Sequence, residues 1–141
     1  MIILDTNVVS EPSQPAPSAA VMAWLAAQDA TQLYTTTATE AELHYGLALL
    51  AAGKRRNELE NAIEHLLGVT LNSRVLSFDR AAAHEFGLVT ASRKKAGRAI
   101  KVFDSQIAAI ARVHGAAVAT RDVGDFEHAG ISVINPWAHT P

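Results

Sequence analysis

Five short apolar runs alternate with longer segments of helical character along this chain, and this order restricts the possible folds most strongly. Short aliphatic runs bounded by turn-forming residues are typical of buried strands. Strands that alternate with helices predict a parallel sheet joined by right-handed crossovers. We therefore predict an α/β fold in which helices flank a central parallel sheet. The predicted strands are Ile2–Leu4, Leu33–Thr35, Arg74–Leu76, Ala117–Ala119 and Ile131–Ile134.

Capping residues and glycines mark the ends of the predicted helices. Ser18 and Asp79 are favoured N-cap residues, and Thr37 and Glu40 have the spacing of a capping box. The prolines between residues 12 and 17 predict a loop after the first strand. The predicted helices run from about Ala19 to Ala27, from Thr37 to near Gly53, from Glu58 to Leu67, from Arg80 to about Lys95 and from Asp104 to Gly115.

Size and composition favour a single cytoplasmic domain. The chain has 141 residues, of which 49% are hydrophobic, and this is enough for one core. It has no cysteine, which excludes disulfides and thiolate metal sites. No apolar run approaches the ~20 residues of a membrane span, and no basic region precedes the first apolar run as in a secretory signal. We therefore expect one domain over residues 1–141, located in the cytoplasm and not bound to a membrane.

Four carboxylates fall where predicted strands meet predicted helices, although they lie far apart in sequence. Asp5 and Asp122 follow the first and fourth strands. Glu42 lies in an early turn of the helix after the second strand, and Asp104 starts the helix before the fourth. In a parallel α/β sheet these junctions share one edge, where ligands bind. Acids gathered there repel one another unless a cation neutralises them or they take up protons. The pattern therefore predicts a site for a hard divalent cation.

Each acid also has a purely structural interpretation. Asp5 can form a turn, Glu42 can be a solvated helix residue, and Asp104 can be only an N-cap. Asp125 lies in the same turn-rich stretch as Asp122 and competes with it for the fourth position, so that choice stays open here. A phosphate-binding glycine loop and a Gly-x-Ser-x-Gly nucleophile elbow are missing from the sequence, which argues against the enzyme classes that use them.

Positive charge is clustered in this chain, although the net charge is −2 at pH 7. Nucleic-acid-binding proteins are more often basic overall, but clustered cations can steer a phosphate chain towards an acidic site. Lys54–Arg56 forms one group, for which a solvated helix end is the alternative. The second group leads directly into Asp104, and we predict that it steers the substrate. Its members are Arg93, Lys94, Lys95, Arg98 and Lys101.

The acids lie in an ordered set of motifs that resembles the PIN-domain ribonucleases. The resemblance is closest to the VapC toxins of type II toxin–antitoxin systems, and among these to the FitB-like members. The motifs follow the family order and extend over nearly the whole chain, so the set is far more specific than any one motif. They are Leu4–Glu11 (LDTNVVSE), Thr39–Gly46 (TEAELHYG), Phe103–Asp104 with Ile107–Ala109 and Ala111, Ala119–Phe126 (ATRDVGDF) and Asn135–Trp137 (NPW).

This resemblance implies a three-layer fold with a five-stranded parallel sheet, and an endoribonuclease that depends on Mg2+ or Mn2+. Asp5 and Asp104 match the most constant metal ligands of the family. Glu42 and Asp122 match a second pair that binds metal or positions water. All four are therefore expected to be both catalytic residues and metal ligands, with Asp125 as a supporting acid.

The resemblance also implies supporting residues and partners. Thr6 and Thr120 match polar neighbours that orient the carboxylates. The family implies an RNA substrate, a homodimer and a small cognate antitoxin that blocks the site, with DNA bound only through the antitoxin. The alternative function is a catalytically silent PIN-fold subunit that binds an antitoxin and regulates through DNA binding of the complex.

Overall fold

The computed structural model describes residues 1–99 and 101–141, and its five strands form one parallel sheet. The strands are β1 (Ile2–Leu4), β2 (Leu33–Thr36), β3 (Val75–Leu76), β4 (Ala117–Ala119) and β5 (Val133–Ile134). Their order across the sheet is β3-β2-β1-β4-β5, and every neighbouring pair is parallel. The predicted α/β class with a five-stranded parallel sheet is thereby confirmed.

Strand β1 lies at the centre of the sheet, and the chain connections diverge to opposite sides at its carboxyl end. From β1 the chain moves to β2 and β3 on one side, and it then returns to β4 and β5 on the other. Pairing continues just beyond β1, where the backbone N–H of Asp5 donates to Ala119 O at 3.0 Å. Crossovers that diverge in this way leave a crevice at the carboxyl ends of the central strands. A ligand site is therefore expected between the ends of β1 and β4.

Six α-helices occur in the described ranges. They are α1 (Thr6–Ser10), α2 (Ala19–Ala26), α3 (Thr37–Ala48), α4 (Lys54–His65), α5 (Arg80–Lys95) and α6 (Val102–His114). The predicted caps of α2 and α5 are confirmed, since Ser18 accepts from Val21 N and Asp79 Oδ1 accepts from Ala82 N. Gly115 ends α6 as predicted, in the left-handed conformation (φ 60°) that glycine adopts at little cost. A π-helical turn, Leu66–Thr70, extends α4, and short 3-10 segments are Glu11–Ser13, Ala30–Gln32, Val123–Phe126 and Pro136–Ala138.

The helices around the first two strands differ from the sequence prediction. Helix α1 was not predicted, and it forms because the Asp5 side chain accepts from Thr6 N and caps it. The capping box predicted at Thr37 and Glu40 is wrong. Thr36 is the N-cap of α3 instead, and its hydroxyl accepts from the N–H of Thr39 at 3.1 Å. Helix α3 also ends at Ala48, well before the predicted position near Gly53.

Two later boundaries also differ. Helix α4 begins at Lys54 rather than Glu58, because Gly53 (φ 154°) turns the chain and the basic residues after it favour a helix. Asp104 lies in the first turn of α6 and not at its cap, which is Lys101. A carboxylate in the first turn still interacts favourably with the positive end of the helix dipole. The strands β3 and β5 are each shorter than predicted.

Separate apolar layers cover the two faces of the sheet. Successive strand residues point to opposite faces, so Ile3 and Val118 join the layer beneath α5 and α6. Leu4 and Ala119 join the layer beneath α1, α2 and α4. Burial of each aliphatic side chain contributes about 1.5–3 kcal/mol, and the two layers together fix the sheet between the helices. Within the described residues, every helix falls short of the length and apolar character that crossing a membrane requires.

Candidate active site

Asp5 is the most buried of the four predicted site acids, with 4% of its surface exposed. Its Oδ1 accepts from the backbone N–H of Thr6 at 2.7 Å, and its Oδ2 accepts from Thr120 Oγ1 at 2.7 Å. Burial raises the pKa of the Asp5 carboxyl, the two hydrogen bonds lower it, and the nearby charges of Asp122 and Asp125 raise it. The carboxylate is therefore held between α1 and the loop after β4, facing other negative groups.

Glu42 reaches the same edge of the sheet from the second turn of α3. Thr6 Oγ1 donates to Glu42 Oε1 at 2.9 Å and lies 3.4 Å from Thr39 Oγ1. Burial raises the pKa of Glu42, the hydrogen bond from Thr6 lowers it, and the charge of Asp5 raises it. Thr6 thus contacts one acid through its backbone and another through its hydroxyl, which joins α3 to the end of β1.

Asp104 is half-buried in the first turn of α6, and its pKa is shifted more than that of the other site acids. The pKa of its carboxyl is raised to about 7, and burial is the largest cause. The charges of Asp5, Asp125 and Glu42 contribute to this rise, and the charge of Lys101 opposes it. Asp104 therefore faces acids from three other elements, and near neutral pH it is divided between the ionised and protonated forms.

Asp122 and Asp125 both lie near this cluster, but they have different partners. The Asp122 backbone N–H donates to Thr120 Oγ1 at 3.0 Å, and Asn7 Nδ2 donates to Asp122 Oδ2 at 3.1 Å. Asp125 Oδ2 instead accepts from Lys101 Nζ at 2.7 Å. Asp122 is thus connected to the group around Asp5 through two neutral side chains, whereas Asp125 is paired with a cation.

The donor set fits a hard divalent cation. Carboxylate oxygens are the ligands that Mg2+ and Mn2+ prefer, and Mg2+ keeps several waters, so a few carboxylates suffice. In the described part of the chain, no three acidic or histidine side chains stand close enough to form a finished metal cage. The raised pKa values nevertheless place Asp5, Glu42 and Asp104 within reach of one another's charge. A divalent cation bound between these carboxylates would offset their mutual repulsion.

Arg93 does not belong to a substrate-steering surface, so that prediction is wrong. Only 4% of its surface is exposed. Its guanidinium donates to the backbone oxygens of Ala99, Gly124 and Glu127. A buried arginine is stable only when its donors are satisfied in this way. Arg93 therefore fixes the loop after β4, which carries Asp122 and Asp125, to the end of α5.

The other members of the basic group remain near the surface. Lys94 and Lys95 are exposed at the end of α5. Arg98 Nη2 lies 2.8 Å from Glu127 Oε2, and Lys101 Nζ lies 2.7 Å from Asp125 Oδ2. Hydrogen bonding to Asp125 raises the pKa of Lys101. Two of the four thus share their charge with an acid, and Lys101 is the one next to the acidic cluster.

Two residues without a predicted role, Asn7 and Arg121, are joined by a hydrogen bond at this site. Asn7 contacts both Asp5 and Asp122, and its side-chain oxygen accepts from the backbone N–H of Arg121 at 3.2 Å. The Arg121 guanidinium lies 4.3 Å from the ring centroid of Trp137, a cation–π distance. In the sequence, only the position of Asn7 two residues after Asp5, just beyond a predicted strand, indicated that it could lie at the site.

The sequence of this chain is similar to those of known proteins of nearly the same length. Residues 2–131 match the family model described as "PIN domain". The chain is 49% identical to the plasmid stability protein StbB of Pseudomonas syringae pv. tomato, over 97% of this chain and 99% of that protein. It is 46% identical to the VapC ribonuclease Y4jK of Sinorhizobium fredii, over 97% and 98% of the two chains. It is also 41% identical to the toxin FitB of Neisseria gonorrhoeae, over 97% and 99%.

Solved structures agree with these similarities. The crystal structure of FitAcB from Neisseria gonorrhoeae matches with a TM-score of 0.90 and 40% identity, covering 98% of this chain and 99% of that one. A structure of FitAB bound to a DNA fragment matches with a TM-score of 0.91 and 39% identity, covering 100% and 99%. The similarity to PIN-domain, VapC and FitB-like proteins that the motifs suggested is confirmed.

Proposed function

Because this chain belongs to the PIN-domain family, we propose that it is the toxin of a type II toxin–antitoxin pair and acts as an endoribonuclease. It hydrolyses phosphodiester bonds of RNA with a divalent cation, Mg2+ or Mn2+. The observation that carries this proposal is the gathering of carboxylates from β1, α3, α6 and the loop after β4 at one edge of the sheet. The relatives named VapC ribonuclease and toxin FitB support the same conclusion.

Asp5, Glu42, Asp104 and Asp122 would hold the cation. When bound, it supplies an activated water near neutral pH and stabilises charge on a phosphoryl oxygen. The protein itself orients these carboxylates through hydrogen bonds. Thr120 and the Thr6 amide fix the Asp5 carboxylate, and the Thr6 hydroxyl fixes Glu42. Ligands oriented by such hydrogen bonds need little rearrangement when they bind.

Lys101, which lies beside the acids, and two exposed lysines at the end of α5 suit an RNA substrate. Lys94 and Lys95 extend from α5, and Lys101 lies next to Asp125 at the start of α6. A phosphate chain drawn to these side chains would pass the acidic cluster, since clustered charges raise the local concentration of an oppositely charged ligand. Substrate affinity is therefore expected to fall steeply with salt concentration.

An antitoxin partner is part of the proposal, and it would bring DNA binding to the complex. The structural relative FitAB is bound to a DNA fragment. In this chain a groove between α3 and α4 reaches Thr6 and Glu42 and has Leu43, Leu47 and Leu59 in its lining. An amphipathic segment of an antitoxin that lay in this groove would cover Glu42 and its partner Thr6. We also propose a homodimer, for which exposed apolar side chains such as Leu49, directly after α3, supply contact area.

The proposed activity is tested by cleavage of an RNA panel that includes tRNA, rRNA and mRNA. We expect specific cleavage with Mg2+ or Mn2+, no cleavage after chelation, and recovery when the cation is restored, because the cluster is made of carboxylates. The measurement is the mapping of new RNA ends. Cleavage that continues in excess chelator would contradict the role of the cation. Absence of cleavage of every RNA, with antitoxin binding retained, would instead support a catalytically silent subunit.

A further inference from the structure

We propose that Asn7 is a positioning residue whose side-chain amide holds Asp122 against Asp5 in the metal-binding arrangement. This inference rests on the proposed function. Asn7 Nδ2 lies 3.1 Å from Asp122 Oδ2, 3.3 Å from Asp5 Oδ2 and 3.3 Å from Thr120 Oγ1. One amide group thus contacts the first acid, the fourth acid and the hydroxyl between them.

The orientation of the Asn7 amide follows from its partners. Its nitrogen has two hydrogens and faces oxygens, whereas its oxygen accepts from the backbone N–H of Arg121 at 3.2 Å. The reverse orientation would place the amide oxygen against two carboxylates and the amide nitrogen against a backbone donor. Both faces of the group would then repel their neighbours. The amide can therefore serve these acids in only one orientation.

The Asn7 side chain is also fixed at two points, through its backbone in α1 and through its amide oxygen. Its own helix, α1, is capped by Asp5 and anchored by the buried side chains of Val8 and Val9. At the other end the amide oxygen is bound to the backbone of Arg121. A donor fixed in this way can position a side chain, because little freedom is lost when its hydrogen bonds form.

A neutral donor suits this position for an electrostatic reason. Asp5 and Asp122 repel each other, and some donor must offset that repulsion if both are to stay ionised and close. A lysine there would offset it with a full positive charge and would compete with a divalent cation for the same carboxylates. Lys101 neutralises Asp125 with a full charge in this way. The amide of Asn7 supplies hydrogen bonds without charge, so Asp122 remains available to a cation.

The test measures Mn2+ affinity by titration calorimetry for the wild type, Asn7→Ala, Asp122→Asn and the double variant, with RNA cleavage measured in parallel. Loss of a residue that orients a metal ligand typically lowers metal affinity about 10- to 100-fold, and we expect a loss of that size for Asn7→Ala. If Asn7 acts through Asp122, adding Asn7→Ala to Asp122→Asn lowers the affinity by no more than about twofold. Asn57→Ala, at an exposed asparagine on α4, is the matched control and should leave the affinity unchanged.

Thermal unfolding of each variant shows whether it folds, and Asn7→Ser, which keeps one donor, should lose less affinity than Asn7→Ala. The inference is overturned if Asn7→Ala binds Mn2+ as the wild type does, or if the losses from the two single variants multiply in the double variant. In both cases a wild type that binds Mn2+ and cuts RNA leaves the proposed function intact. A wild type that does neither would overturn the proposed function, and this inference with it.

Discussion

Asp5→Asn is expected to lower the rate of RNA cleavage by about 100- to 1,000-fold, the range seen when one preorganised electrostatic group is removed from an active site. The substitution keeps the size of the side chain and removes its charge. Asparagine is as good an N-cap as aspartate, so the Thr6 N–H keeps an acceptor and α1 keeps its cap. The second Asp5 oxygen accepts from Thr120 and Asn7, and asparagine cannot keep both oxygens as acceptors, so circular dichroism of the variant must show that the fold is retained.

The matched control is Asp29→Asn. Asp29 also caps a short helix, with Oδ1 accepting from Thr31 N at 2.9 Å, but it precedes β2 and so lies at the opposite edge of the sheet. Cleavage rates and circular dichroism of both variants would be compared with the wild type. Equal activity of Asp5→Asn and Asp29→Asn would remove Asp5 from the reaction.

Asp104→Asn is expected to abolish cleavage and, at the same time, to stabilise the protein at alkaline pH without a divalent cation. The folded state raises the pKa of Asp104 to about 7 from the ordinary 3.8, so it binds this proton more tightly than the unfolded chain does. The contribution of Asp104 to stability is therefore fully present below about pH 4, and it is lost as the pH rises through 7. An uncharged asparagine avoids this loss.

Thermal unfolding at pH 5 and pH 8, in chelator, checks the stability part of this prediction. At pH 8 Asp104→Asn should raise the midpoint by about 4 °C, which corresponds to roughly 1 kcal/mol in a domain of this size. The expected effect is small because Asp104 is only half-buried and water screens its charge. At pH 5 the difference between the midpoints should be smaller, because the carboxyl is still mostly protonated in the folded protein although it is already ionised in the unfolded chain. A variant that is less stable than the wild type at pH 8 would show that Asp104 is not electrostatically strained.

The edge of the sheet that carries the acids could be predicted from the sequence, because it depends only on strand order and on where side chains follow strands. Asp5 and Asp122 come directly after β1 and β4, and a parallel sheet brings those positions together whatever the side chains do. The choice between Asp122 and Asp125 could not be made in this way. It depends on the neutral partner Asn7 and the cationic partner Lys101, which only the folded chain places beside them.

At α1 and at Arg93 the structure departs from the local sequence pattern because tertiary contacts outweigh it. The five residues of α1 are too few to show helical periodicity, and their stability comes from the Asp5 cap and from the burial of Val8 and Val9. Arg93 stands in a basic run that suggested an exposed surface. Its burial is decided by the carbonyls of Gly124 and Glu127, which lie about 30 residues away in sequence. Local sequence carries no information about such partners.

Anomalous scattering from crystals of this chain grown with Mn2+ tests the central claim most directly. The account predicts one or two Mn2+ peaks at the carboxyl end of β1, bonded to carboxylate oxygens of both Asp5 and Asp104, and no such peak in Asp5→Asn. Mn2+ that is absent from this edge, or bound there without Asp5 and Asp104 sharing an ion, would contradict the account.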